Sequence, residues 1–177
     1  MPQGRDALLT GAAHAEVTAS VTTNEQVIWE RMLGIKVTST TNLATANDNI
    51  FDYTGPVAIT LMFGEVTSVV ATTSSMRITT SVGTTMNLCL STDITTLADA
   101  TMFMVSGDPV EGLNNVTTQA LSRIAYTTDG TRNAFVLGNE GVTDAILTVN
   151  NATGTGTILW TAFYIPLGTS ATMAASA

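Results

Sequence analysis

Few residues in the chain could carry chemistry, and their spacing limits what that chemistry would be. The one cysteine, Cys89, sits in Met86-Asn-Leu-Cys-Leu90, and the one histidine, His14, lies far upstream in an Ala-rich stretch. A nucleophilic cysteine needs a base within hydrogen-bond reach, and His14 is the only histidine to offer one. Cys89 therefore reads as a small buried hydrophobe in a strand. With no second cysteine it forms no intrachain disulfide. One His and one Cys also exclude HExxH and CxxC zinc patterns. No GxSxG nucleophile elbow and no GxxxxGK[ST] or GxGxxG phosphate loop occurs; Gly154-Thr155-Gly156 lacks the third glycine and the helix that would follow. Paired carboxylates could work as acid and base, as in glycosidases. The candidate pairs Asp48/Asp52, Asp108/Glu111 and Glu140/Asp144 each straddle or border a predicted turn and read as solvated loop groups. A loop calcium site near Asp48 or Asp108 lacks EF-hand spacing. No catalytic residue, metal or cofactor is expected. Two sequons, Asn115-Val116-Thr117 and Asn151-Ala152-Thr153, read as turn asparagines.

The 177 residues carry 14 Asp+Glu against 6 Lys+Arg, a formal charge of −8, and are 45% hydrophobic with 11% charged. A chain of this size is ordinarily one domain and can bury a real core. Disorder needs the reverse composition. A pI near 4.2 and a single lysine, Lys36, argue against a nucleic-acid partner. The start MPQGRDALLTGAAHAEV has no apolar core of signal-peptide length, and no segment reaches about 18 continuous apolar residues. Synthesis in a cytosol and no membrane partner are the expectations.

Threonine fills 34 positions. With Val and Ile it favours strands, because a branched Cβ packs on a pleated surface and is stiff in a helix. In Val57-Ala-Ile-Thr-Leu-Met-Phe63, positions 57, 59, 61 and 63 are Val, Ile, Leu and Phe: period two, with one large apolar face. Gly55-Pro56 opens this predicted strand and Gly64 closes it, with Glu65–Ala71 a second short strand. Further predicted strands are Ile35–Thr40, Ile50–Tyr53, Ser75–Thr80, Met86–Leu90, Thr101–Val105, Ser122–Thr127, Arg132–Leu137, Asp144–Val149 and Thr157–Ile165. Turn residues fall between them at Asn47-Asp48-Asn49, Ser106-Gly107-Asp108-Pro109, Gly138-Asn139-Glu140-Gly141 and Asn150-Asn151…Gly156. Asp129-Gly130 suits a type I′ hairpin. The pattern predicts an all-β antiparallel sandwich, jelly-roll-like, with an extended N-terminal arm over 1–24 and one domain over 25–177. Glu25–Leu33 (EQVIWERML) fits a strand or a short helix. Thr96–Ala100 fits one helical turn within a loop, and the last ten residues an uncharged tail.

The strand Thr157–Ile165 is apolar on both faces: Ile158, Trp160, Ala162 and Tyr164 on one, Leu159, Thr161, Phe163 and Ile165 on the other. Met102–Val105 behaves the same way. A sheet covers one face with its own core; the other needs a loop, the N-terminal segment or another subunit. Scarce charge and a mean hydropathy of +0.30 point to buried subunit interfaces. Threonine clothes outer sheet faces without charge, as suits an adhesin or a shell protein packed among its own copies.

Three blocks extend this reading: NIFDYTGPVAITLMFGEVTSVV (Asn49–Val70), the run Met86–Ile94, and GTGTILWTAFYIPLGTSATMAA (Gly154–Ala175). Together they resemble small β-rich virion proteins of tailed bacteriophages, in which such a sheet ends in a W-x-x-x-Y-x-P-L-type strand near the C-terminus. The resemblance spans roughly residues 49–175, carries no catalytic signature and does not reach the N-terminal third. It implies a capsid decoration or cement protein, commonly a homotrimer, seated between capsomers and bridging major capsid protein subunits on the virion surface after synthesis in the host cytoplasm. On that reading Arg5, Leu8 and Leu9 serve attachment, and Trp160, Phe163 and Tyr164 lie in the core or at the trimer interface. A jelly-roll coat protein that builds the shell itself is a variant. A receptor- or glycan-binding sandwich of a viral fibre or spike is the alternative, with Tyr53 beside Asp52 its local hint. A depolymerase or lyase domain would need convergent acid/base residues.

Overall fold

A computed structural model describes residues 33–71, 74–82, 84–110, 112–116, 134–138, 145–151 and 154–177. The arm 1–24, most of Glu25–Leu33, the strand Ser122–Thr127 and the Asp129-Gly130 hairpin lie outside the described residues. Within them the chain forms strands β1 (Ile35–Asn42), β2 (Asn47–Thr54), β3 (Val57–Ser68), β4 (Ser75–Val82), β5 (Thr84–Asn87), β6 (Thr92–Asp93), β7 (Met102–Met104), β8 (Asn114–Val116), β9 (Phe135–Leu137), β10 (Ala145–Asn151), β11 (Thr157–Pro166) and β12 (Thr172–Ala175).

The pairing is antiparallel throughout and nested. β1 pairs with β11, β2 with β10, β3 with β7, and β4 with β5. Alternate pairs fall into alternate sheets. The first sheet runs β1-β11-β3-β7-β8, with β9 also on β3; the second runs β12-β2-β10-β4-β5, with β6 on β4. The two sheets enclose one core in which Leu43, Ile50, Phe51, Ile59, Met62, Ile78, Leu147 and Trp160 have no exposed surface. The chain is an all-β sandwich.

Trp160 on β11 organises the first sheet. Its ring lies over Gly64 on β3, its register partner, where a Cβ would come within 2.7 Å of the indole. The indole N–H donates to the Thr41 hydroxyl on β1 (3.1 Å), and the ring stacks on Phe103 of β7, centroids 6.5 Å apart. Gly64 therefore does not end a strand. It sits inside a 12-residue strand, in the pattern of an interior glycine where another group approaches closely.

A bulge corrects the predicted face of β3. The register with β11 slips between Phe163 and Tyr164, leaving Thr60 as an extra residue. Such a slip moves every later side chain to the opposite face. Val57 and Ile59 point inward, and so do Met62 and Val66, while Leu61 and Phe63 turn outward and are half-buried. Other boundaries differ as well. Asn47-Asp48-Asn49 belong to β2; the turn lies at residues 43–46, where the Ala44 N–H donates to Asn42 Oδ1 and the Asn42 N–H to Asp48 Oδ2. Thr96 and Ala100 take positive φ, which divides their segment into turns rather than a helical one. The C-terminal residues do not form a loose tail: β12 pairs with β2, and the Ser176 hydroxyl donates to Asp52.

The outer faces of the two sheets differ in chemistry. On the second, the Thr148 hydroxyl donates to Asn49, the Asn150 amide to Asn47, and the Thr79 hydroxyl to Asn150, a ladder of neutral polar pairs. On the first, Met102, Met104, Leu61, Phe63, Leu159 and Phe163 occupy the face turned from the core.

Gly64→Ala puts a methyl group into the Trp160 ring. Overpacking of this kind costs about 1–3 kcal/mol, so the urea midpoint falls while the m-value holds. Trp160→Leu in the same chain makes the glycine change less costly; additive losses would show that the two residues do not press on one another.

Candidate interaction surfaces

The groups that could have carried chemistry do not converge among the described residues. Cys89 is fully buried, and its Sγ accepts the Ile78 N–H. Burial pushes its thiol above the ordinary value, outweighing that hydrogen bond and the nearby Arg77. A thiol so placed is a packing group, since the thiolate is the nucleophile. Asp48 and Asp52 both lie on β2 but serve different neighbours: Asp48 accepts the Asn42 N–H and Asp52 the Ser176 hydroxyl. Asp108 accepts the Val110 N–H in a local turn. Glu111, Glu140, Asp144 and His14 lie outside the described residues. No group of three or more metal-ligating side chains forms among the described residues. No described helix is long and apolar enough to cross a membrane. Asn151, of the second sequon, is buried with its amide donating to the Leu43 carbonyl, which holds it away from a glycan-transferring enzyme.

The predicted interface residues separate. Arg5, Leu8 and Leu9 lie outside the described residues. Trp160 has no exposed surface and Tyr164 is 5% exposed; both belong to the central core. Phe163, between them in sequence, is also buried but points the other way and stands apart from that core. Sequence reasoning missed Leu61 and Phe63 as its neighbours, because strict alternation put them inside. Tyr53 and Asp52 do not form an exposed pair. Tyr53 is 1% exposed, and its hydroxyl meets the Thr80 hydroxyl at 2.7 Å.

Exposed apolar side chains gather at two places. Ile35, Ile165 and Leu167 are each about half exposed, around a depression of about 250 Å³ lined by Gly34, Ile35, Tyr164, Ile165 and Pro166. Met86 and Val136 flank a cleft of about 260 Å³ whose wall includes Tyr53, Thr80, Pro109 and Phe135. Both openings are apolar with few polar groups, and neither holds an acid/base pair.

No protein-family model matches the chain, and neither a curated protein nor a solved structure does.

Two buried acids give the fold an alkaline limit. Burial raises Cys89 above 9.0 and Tyr53 above 10.0, the latter against a smaller opposing effect of its Thr80 hydrogen bond. The unfolded chain therefore releases these protons first as pH rises. Their stabilising effect is whole below about pH 9 and falls as pH climbs through the raised folded values. The expected outcome is a urea midpoint that declines above pH 9, less steeply in Cys89→Ala. In native buffer at pH 8, iodoacetamide leaves Cys89 unmodified, whereas in denaturant it reacts fully. Rapid native alkylation would contradict the buried position.

Proposed function

We propose that the chain is a non-enzymatic structural protein of a virion: a capsid decoration or cement protein that bridges major capsid subunits, acting as a homotrimer on the capsid surface after synthesis in the host cytoplasm. The observation that carries this reading is the nested strand pairing. One long antiparallel hairpin, β1 to β4 against β11, β10, β7 and β5, is wound so that successive pairs alternate between sheets. That nesting supports a jelly-roll reading of the sandwich, an architecture used by viral capsid, lectin and cupin domains.

A fold alone does not name a function, so the surface has to choose among these. The openings here are apolar and lined by Ile35, Ile165, Met86 and Val136 rather than by convergent ionisable groups. Apolar patches set in a Thr-rich, sparsely charged surface fit repeated contacts between copies and with a lattice, and closed rotational symmetry lets one patch serve every subunit. The sequence likeness to phage virion proteins supports the same choice. The Tyr53-Asp52 hint of a glycan platform loses its support, since a buried tyrosine cannot stack on a sugar. The same winding also favours a second reading, a coat protein that builds the shell itself.

Native mass by light scattering, followed by addition to preformed capsids lacking this protein, separates the readings. A mass near three times 18.4 kDa and saturable capsid binding are expected. Closed particles formed by the purified chain alone would identify a shell builder. A monomer that binds neither capsids nor itself would sink both.

A further inference from the structure

The outermost strands of the two sheets differ in how they are guarded. β1 and β12 lie against one another and close one side of the sandwich. On the other side stand β8, three residues long, and β5 (Thr84–Asn87) beside β4. A sheet edge presents unpaired N–H and C=O groups, and proteins ordinarily blunt it with charge, proline or a bulge. β5 has none of these. From Ser81 to Ser91 the sequence holds no charged residue and no proline, and the β4–β5 register runs without a slip. Among the described residues, no strand pairs with the outer side of β5.

The register shows which groups face outward. The Leu88 N–H donates to the Ile78 carbonyl (2.8 Å), and the ladder continues in step through Asn87↔Thr79, Met86↔Thr80 and Thr85↔Ser81. In an antiparallel pair, hydrogen-bonded and non-hydrogen-bonded positions alternate. Leu88 and Met86 therefore bond to β4, while the N–H and C=O groups of Thr85 and Asn87 point away from it. The side chains accord with an open edge: Thr85, Met86 and Asn87 are all exposed, Met86 at 55%. Met86 lies opposite Thr80, whose hydroxyl meets Tyr53 inside the sandwich. Its thioether thus stands on the core side of the sheet, at the mouth of the cleft it shares with Val136.

We infer that β5 is a docking edge for β5 of a second copy, the two strands running antiparallel about a two-fold axis at Met86. The edge is its own complement. Thr85 faces the partner's Asn87 and Asn87 the partner's Thr85, a register that pairs every outward backbone group of these residues. Met86 meets the partner's Met86 at a non-hydrogen-bonded position, where facing Cα atoms are about 4.5 Å apart and side chains are closest. Two exposed apolar groups then cover one another, and the second sheet runs on through both copies in an isologous contact. The pairing is independent of the capsid reading and of the trimer, because it joins two copies whichever assembly each belongs to. A strand of four residues makes a small contact, so covalent trapping reads it better than resting mass.

Cys89 is the one native cysteine and is buried, so single added cysteines report on the edge. Full-length chains carrying Met86→Cys, Thr85→Cys, Asn87→Cys or Leu90→Cys are treated with oxidised glutathione at equal concentration. Leu90 is exposed but lies outside β5, and it sets the rate of chance encounters. Met86→Cys is expected to form covalent dimers roughly tenfold faster than Leu90→Cys, because strand pairing raises the local thiol concentration. Thr85 and Asn87 each stand two residues out of step with their own copies, about 8 Å away and beyond disulfide reach, so both trail Met86. Asn87→Pro removes an outward N–H at an edge position that accepts proline, and should slow the Met86→Cys dimer to the Leu90→Cys rate. Circular dichroism checks the fold of each variant, and Thr85→Pro takes the place of Asn87→Pro if the latter unfolds. Equal rates at positions 86 and 90 would overturn the inference, as would trapping that a folded proline variant leaves unchanged. Fastest trapping at position 85 or 87 would overturn the register.

Discussion

Close approach of an indole to a strand with no side chain in the way holds the first sheet together. Trp160 reaches β3 through Gly64, β1 through the Thr41 hydroxyl and β7 through the Phe103 ring. One side chain thus ties β11, near the C-terminus, to strands from three other parts of the chain. Truncating a buried aromatic of this size typically costs about 3–5 kcal/mol, a large share of a domain's ordinary margin of stability. The neighbours are chosen to match. Only glycine leaves room beneath the ring, and the Thr41 hydroxyl satisfies the buried indole N–H without adding charge.

A second constraint follows from how β3 keeps pace with β11. The extra residue at Thr60 lets Val57 and Ile59 face the core on one side of the bulge and Met62 and Val66 on the other. Its cost is that Leu61 and Phe63 are turned outward beside Phe163. On β2, Ile50 is likewise extra, and Ile50 and Phe51 are both buried. The two bulges have opposite consequences: the one on β2 adds a side chain to the core, and the one on β3 exports apolar surface to the outside. That asymmetry distinguishes the two sheets, one dressed in Thr and Asn, the other in Met, Leu and Phe.

The winding also decides which edges remain available. β1 and β12, the outermost strands on one side of their sheets, lie against one another and β1 against β2, so that side of the sandwich is closed. Unpaired edges are the places where sheet proteins meet partners or guard against them. Apolar side chains such as Ile165 and Met86 remain exposed away from this covered side.

Composition and period-two patterning were enough to declare an all-β sandwich and to place Ile35–Thr40, Val57–Phe63, Ser75–Thr80, the described part of Asp144–Val149 and Thr157–Ile165 as strands. These properties are local: a branched Cβ and alternating burial act over a few residues. The sequence also determined that Trp160 and Phe163 face opposite ways, because their spacing along one strand is odd. What it could not determine was which partner strand lies opposite each residue. The bulge at Thr60 exists only relative to β11, and without it Leu61 and Phe63 read as core. Gly64 reads as a strand end until Trp160, far along the chain, is seen above it, and the final residues read as a tail until β2 supplies their hydrogen bonds. Strand order, register and the chemistry of each outer face are set by contacts between distant segments, and only the tertiary structure contains those.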